Sequence, residues 1–198
     1  MKALKTLACL TLTWGLFSGK SAWSNEMNIV DFSDRGELQQ WLVVNDTVMG
    51  GVSQGQLLVE DENGIFFGEL SLENNGGFAS IRRLLPSSVD AQAERISVRI
   101  KGDGARYQFR LRTNREFDGY AYQVSFNTIE NQWITLFFEP KDFIATYRGM
   151  VLENVPPLDF ADVEQIGFLI SEKQHGPFSL HIHTVKFLTE PTSSDQSN

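Results

Sequence analysis

Along most of this chain the apolar residues come in short runs, usually at alternate positions, separated by clusters of Gly, Asn, Asp or Pro. That spacing predicts strands stacked in a sandwich. Strands are expected near 29–32, 56–60, 65–71, 78–83, 95–101, 105–113, 119–127, 132–139, 164–171 and 178–188. No long helical periodicity interrupts them. Asp34 to Glu37 has the spacing of a helix capping box, and Leu38, Trp41 and Leu42 share a helical face, so one or two helical turns are expected there. Val43 and Val44, just beyond, favour extended backbone. Gly102-Asp103-Gly104 and the stretch from Asn114 to Gly119 read as turns, which implies consecutive antiparallel hairpins. The segment from Lys141 to Asp162 is less periodic. Its Pro156-Pro157 pair argues against a central strand, so a loop crossing one end of the sandwich is expected. No internal repeat is present.

Alternation also sorts side chains between faces. Over 95–101 the apolar set is Ile96, Val98 and Ile100, which leaves Arg95, Ser97, Arg99 and Lys101 opposite. The next strand opposes Arg106, Gln108, Arg110 and Arg112 to Tyr107, Phe109 and Leu111. The third opposes Ala121, Gln123, Ser125 and Asn127 to Tyr120, Tyr122, Val124 and Phe126. If the three strands are neighbours, they share one basic face. Nine of the fourteen Lys and Arg residues beyond position 24 lie between Arg82 and Arg115. Two readings fit that clustering: a face that recruits an anionic group, or a solvated face whose arginines pair with nearby Asp and Glu.

The stretch from Trp41 to Gly55, WLVVNDTVMGGVSQG, has the chemistry of a shaped loop. Asn45 and Asp46 can bond backbone groups nearby, and Gly50 and Gly51 accept positive φ. A partly buried Asp46 taking several N–H bonds would fix the loop, with Val48 and Met49 packed beneath it. A second block, LENNGGFASIRR from Leu72 to Arg83, offers another tight loop at Asn74-Asn75-Gly76-Gly77. Together the two blocks resemble the complex I intermediate-associated protein 30 family, over roughly residues 29 to 188. The resemblance implies an all-β fold, an antiparallel jelly-roll β-sandwich of galactose-binding-like type with at most one or two short helices. It also implies a non-enzymatic binding protein or chaperone-like assembly factor for respiratory complex I that recognises a protein partner. No catalytic or ligand residues come with the motif. Trp41, Asn45, Asp46, Met49, Gly50, Gly51, Asn75, Gly76 and Gly77 read first as parts that lock the fold, while Met49 or Phe78 could meet a partner.

The same fold class includes carbohydrate-binding modules. That suggests an alternative, a secreted module recognising a sugar or other anionic ligand through Arg95, Arg99, Arg106, Arg110, Arg112, Gln123 and Trp133. The strand from Trp133 to Glu139 is apolar on both faces, which fits either burial on both sides or Trp133 as a platform for a sugar ring.

Composition narrows these options. Residues 1 to 24 combine Lys2 and Lys5, an apolar core from Leu7 to Phe17, small residues near Ser24 and no Arg, the pattern of a secretory signal peptide. A secreted or periplasmic address is expected, with a single domain over 25–188 and a polar tail over 189–198 that is expected to be disordered. The apolar run is too short for a membrane anchor, so no stable membrane insertion of the mature form is expected. Removing this segment, with its three Lys and no acid, takes the net charge from −8 to −11. Such acidity argues against nucleic acid as a partner. Cys9 is the only cysteine, and there is no Gly-x-Ser-x-Gly or His-Glu-x-x-His motif. Nucleophilic and zinc hydrolases therefore lack their defining parts. His181 and His183 share a strand face without a third ligand at useful spacing, so neither metal nor cofactor is expected. Glu69 shares a face with Ile65 and Phe67, but a glycosidase needs a second carboxylate.

Overall fold

The computed structural model describes residues 25–189. The expected leader and nearly all of the expected tail lie outside them. Thirteen strands form two antiparallel sheets. They are β1 (Asn25–Asp31), β2 (Trp41–Asn45), β3 (Gln54–Glu60), β4 (Asn63–Leu70), β5 (Ala79–Leu84), β6 (Ala93–Lys101), β7 (Arg106–Arg112), β8 (Ala121–Asn127), β9 (Trp133–Phe138), β10 (Ile144–Tyr147), β11 (Met150–Val151), β12 (Gln165–Ile170) and β13 (Gly176–Thr189). The first sheet runs β3-β4-β13-β6-β9, with β1 also on β13. The second runs β11-β10-β8-β7-β12-β5-β2.

The inward residues are those that alternation selects: Ile96, Val98 and Ile100 of β6, Tyr107, Phe109 and Leu111 of β7, and Phe66, Leu180, Ile182 and Phe187 are all buried. Phe109 lies at the centre, with ring centroids 5.2 Å from Phe168, 6.1 Å from Phe138 and 6.2 Å from Phe143. Each such ring contributes roughly 1.5–3 kcal/mol by leaving water. Burial supplies the main cohesion of the fold.

Four expectations about local structure are corrected. Among the described residues there is no α-helix, only five short 3₁₀ turns. At the first of these, Leu38–Gln40, Glu37 makes no cap and instead turns inward, while Val43 and Val44 belong to β2. The expected crossing loop contains β10 and β11, which extend the second sheet beyond β8. Asn114 to Gly119 does join an antiparallel pair, β7 and β8. Gly102-Asp103-Gly104 does not: it carries the chain from β6 in one sheet to β7 in the other. The Asp103 carboxylate pins that crossover, accepting from Ser179 N of β13 at 2.7 Å and from Tyr107 OH of β7 at 3.1 Å. Among the described residues no helix is long and apolar enough to cross a membrane.

Candidate functional site

The two glycine-bearing loops meet at one end of the sandwich, on the carboxylate of Asp46. This side chain is fully buried, at 0% exposure. Its Oδ1 accepts from Ser53 N at 2.9 Å, and its Oδ2 accepts from Ser53 Oγ at 2.6 Å, Gly77 N at 2.6 Å and Phe78 N at 3.3 Å. Burial alone would raise this carboxyl, but the bonds from Gly77, Ser53 and Phe78 outweigh it and hold it below its ordinary value. The glycines are needed for close approach: a Cβ on Gly51 would lie 2.3 Å from Asp46 Cγ, and one on Gly76 2.5 Å from Oδ2. Gly50, Asn75 and Gly77 adopt positive φ, of 90°, 59° and 119°.

Asn45 closes the adjacent seam. Its side-chain amide donates to Gly55 O at 3.3 Å and accepts from Gly55 N at 3.1 Å, so β2 of one sheet is tied to β3 of the other. Val48 and Met49 are not packed beneath this loop. They are 64% and 63% exposed, and with Val52 and Leu72 they form an apolar rim around the buried carboxylate. The reason is geometric: Asp46 occupies the interior of the turn, so the 3₁₀ residues that follow point outward. Trp41 belongs to the core side of the same motif, between Phe32 and Phe168, with its indole N–H on Glu37 at 2.8 Å. Glu37 also forms a buried ion pair with Arg83.

The expected single basic face does not exist. Arg95 and Arg99 lie on the outer face of the first sheet, whereas Arg106, Arg110, Arg112 and Gln123 lie on the outer face of the second. Alternation assigns a face but not a sheet, and the Gly102 crossover puts the core between the two groups. Arg95 pairs with Glu139 at 2.7 Å and Arg106 with Glu172 at 3.2 Å. Neither Arg110 nor Arg112 has a carboxylate partner among the described residues.

Arg82, at the end of the second loop block, stands beside Arg110 and Arg112. Arg82 and Arg110 are the cross-strand partners of Gly167 from opposite sides, and Arg112 is paired with Gln165. The 114–120 loop folds over one end of this row. It accepts from Arg82 Nη1 at Phe117 O (2.8 Å), from Arg112 Nη1 at Gly119 O (2.6 Å) and from Gln165 Nε2 at Asn114 O (2.7 Å). The Phe117 ring lies 3.9 Å from the Arg82 guanidinium. Burial, with Arg112 and Arg82 nearby, pulls the Arg110 guanidinium down to about 10. Gln123 meets Thr146 Oγ1 at 2.8 Å.

The sequence model of the complex I intermediate-associated protein 30 family matches residues 30–182. The chain belongs to that family. A curated relative, the mitochondrial complex I intermediate-associated protein 30 of Mus musculus, is 25% identical over 187 residues. That match spans 83% of this chain but only 57% of the mouse protein's length. Among solved structures, the family 11 carbohydrate-binding module of a cellulosomal cellulase from Clostridium thermocellum is similar with a TM-score of 0.62. It is 15% identical, over 85% of this chain and 98% of that one. The same module in complex with a mixed-linked tetrasaccharide gives a TM-score of 0.60 at 16% identity, over 83% and 96% of the two chains. These likenesses show the jelly-roll fold. The expected secreted or periplasmic address is corrected by the mouse relative, which is mitochondrial. Residues 1 to 24 contain no acidic residue, and poverty in acids is also a feature of organelle-import segments.

In this family member Trp133 stands on the outer face of the first sheet, not in a strand buried on both sides. β9 is an edge strand, and Phe137 on the same face is 53% exposed. Lys101 Nζ lies 5.4 Å and Arg99 Cζ 5.7 Å from the Trp133 ring centroid, and the imidazoles of His181 and His183 meet it edge-on. Burial and the Lys101 charge lower the His181 pKa. No group of three or more metal-ligating side chains occurs among the described residues. Glu69 is exposed. The role of Arg82 escaped sequence reading because its neighbour Arg83 points the other way. The interruption of the apolar run QIGFLI by Gly167 was the available signal.

Proposed function

We propose that this chain is a non-enzymatic binding domain that serves in the assembly of respiratory complex I, docking a protein partner through the rim around Asp46. Membership of the family supports the assembly role, and so does the name of the mouse relative. The observation that carries the docking surface is the exposure of Val48, Met49, Val52 and Leu72 on a loop pair whose backbone is held by one buried carboxylate. Exposed apolar side chains on a rigid support bind at little ordering cost, and methionine adapts to an irregular partner. The test is affinity capture from a membrane extract of the source organism, followed by mass spectrometry. Wild-type chain captures complex I subunits, and Val48→Asp with Met49→Asp loses them while melting at the same temperature. Equal capture by the double variant overturns the assignment of the rim.

The alternative is a carbohydrate-binding module, and Trp133 is the observation in its favour. Its ring lies on an open sheet face beside Lys101 and Arg99, where a sugar can stack. Glycan-array binding that disappears in Trp133→Ala supports that reading over the first.

A further inference from the structure

Three buried or half-buried cations of this acidic protein pair with carboxylates: Arg83 with Glu37, Arg95 with Glu139, Lys186 with Glu26. Half-buried Lys101 lies against the Trp133 ring instead. The row on the second sheet departs from that pattern. Arg82, Arg110 and Arg112 are all partly buried, and none pairs with a carboxylate among the described residues. Two buried polar atoms in the same row lack any partner, Nη2 of Arg82 and Oε1 of Gln108. The Arg110 side chain makes no hydrogen bond among the described residues, although those of its neighbours Arg82 and Arg112 bond the carbonyls of the 114–120 loop. Asp118, the acid that acts on Arg82 and Arg112, bonds Arg148 and Tyr147 at 3.2 Å each.

The spacing defines a site. Neighbouring strands lie about 4.8 Å apart, so the backbones of Arg82 and Arg110 stand about 9.6 Å apart with only Gly167 between them. Arg110 and Arg112 follow one another on one face at about 7 Å. Three guanidiniums thus surround a stretch of sheet without a side chain of its own at Gly167. Their free donors exceed what one carboxylate accepts, whereas a phosphate monoester offers three oxygens and close to two negative charges. The orphaned Gln108 Oε1, two residues from Arg110 on the same face, needs a donor. A hydroxyl supplies one.

We propose that Arg82, Arg110 and Arg112 over Gly167 form a binding site for a phosphate monoester that also bears a hydroxyl group, a phosphorylated polyol or sugar, with Gln108 receiving the hydroxyl. Arg110 is the principal contact, because its donors are uncommitted. The bound dianion relieves a repulsion that the empty protein endures, so the site costs stability until it is filled. Burial first, and then the Arg112 and Arg82 charges, lower the Arg110 pKa.

The full-length chain is titrated calorimetrically with glycerol 3-phosphate, and its melting temperature is followed against sodium chloride at equal ionic strength. Saturable binding and a rise in Tm above the salt control are expected, with glycerol alone inert. Arg110→Gln weakens binding at least about tenfold, the factor expected for one lost charge-assisted contact. Without ligand the same variant melts no lower than wild type, since it loses a repulsive charge and no hydrogen bond. Arg82→Gln, which also frees the orphaned Nη2, gives a second reading of the affinity loss. Vesicles containing phosphatidylinositol 4-phosphate, a phosphate monoester on a polyol headgroup, distinguish the source: Arg110-dependent flotation points to a lipid headgroup, and its absence with retained glycerol 3-phosphate binding points to a soluble ligand. No binding of either probe overturns the proposal. So does equal binding by Arg110→Gln, or a marked fall in its ligand-free Tm, which would make Arg110 structural.

Discussion

Replacing Asp46 should unlatch the two glycine loops at once. The carboxylate, itself fully buried, accepts three backbone N–H groups, from Ser53, Gly77 and Phe78, and the Ser53 hydroxyl; Ser53 is buried too, while Gly77 and Phe78 are half-buried. Asp46→Ala leaves these donors facing a cavity, at about 1–3 kcal/mol for each one that water fails to reach. The Ser53 hydroxyl retains an acceptor at Ser71 O, 3.2 Å away, which limits its share. The expected loss is about 3–5 kcal/mol, a large part of the 5–15 kcal/mol of a typical domain. Asp46→Asn separates charge and acceptor from volume. Either orientation of the amide turns an NH2 toward N–H donors on one side, so the isosteric change should cost about 2–3 kcal/mol. Urea unfolding followed by circular dichroism measures both, and an unchanged m-value confirms that the midpoints report stability. An Asp46→Asn variant within about 0.5 kcal/mol of wild type, the range of an ordinary surface change, would refute the latch.

Four further outcomes follow from the geometry. Because the folded Asp46 pKa is depressed below 3.8, its contribution is fully present above the unfolded value and is lost as pH falls through the folded one. The wild-type advantage over Asp46→Asn in urea midpoint should therefore hold at pH 7 and shrink below about pH 4. Gly51→Ala should lower Tm sharply, since the new Cβ would meet Asp46 Cγ at 2.3 Å and could be relieved only by displacing the hydrogen-bonded carboxylate. Arg112→Ala removes the bonds to Gly119 O and Tyr120 O and should speed proteolytic cleavage within 114–120, with a modest loss of about 1–3 kcal/mol by urea titration. Glu37→Gln leaves Arg83 as a buried unpaired cation and should destabilise by about 3–5 kcal/mol, more than loss of any exposed ion pair such as Arg148 with Asp118.

The two-layer fold was legible because alternation is a local property: Ile96, Val98 and Ile100 can only be buried together, whatever their neighbours are. The pairing of sheets was not. β6 and β7 are adjacent in sequence with complementary alternation, and a Gly-Asp-Gly turn serves equally for a hairpin and a crossover. What decides is Asp103, which reaches Ser179, 76 residues away, and no pattern within the turn reports that bond. The division of the arginines between two outer faces followed from this, and with it fell the notion of one basic surface. The signature loop shows the complementary limit. Asn45, Asp46 and the glycines read as turn formers, yet the direction of Met49 depends on which side chain takes the interior, and Asp46 takes it. Short strands such as β10 and β11 escaped because a segment with two prolines and little alternation still pairs when an edge strand offers its backbone.

The most direct test of the docking surface is site-specific photo-crosslinking in the source organism, with a photoreactive residue at position 49 in the rim and a control at position 137 on the opposite half of the first sheet. Adducts to complex I subunits at position 49 and none at position 137 are the result predicted. Adducts at 137 alone, or none at either position, would contradict it.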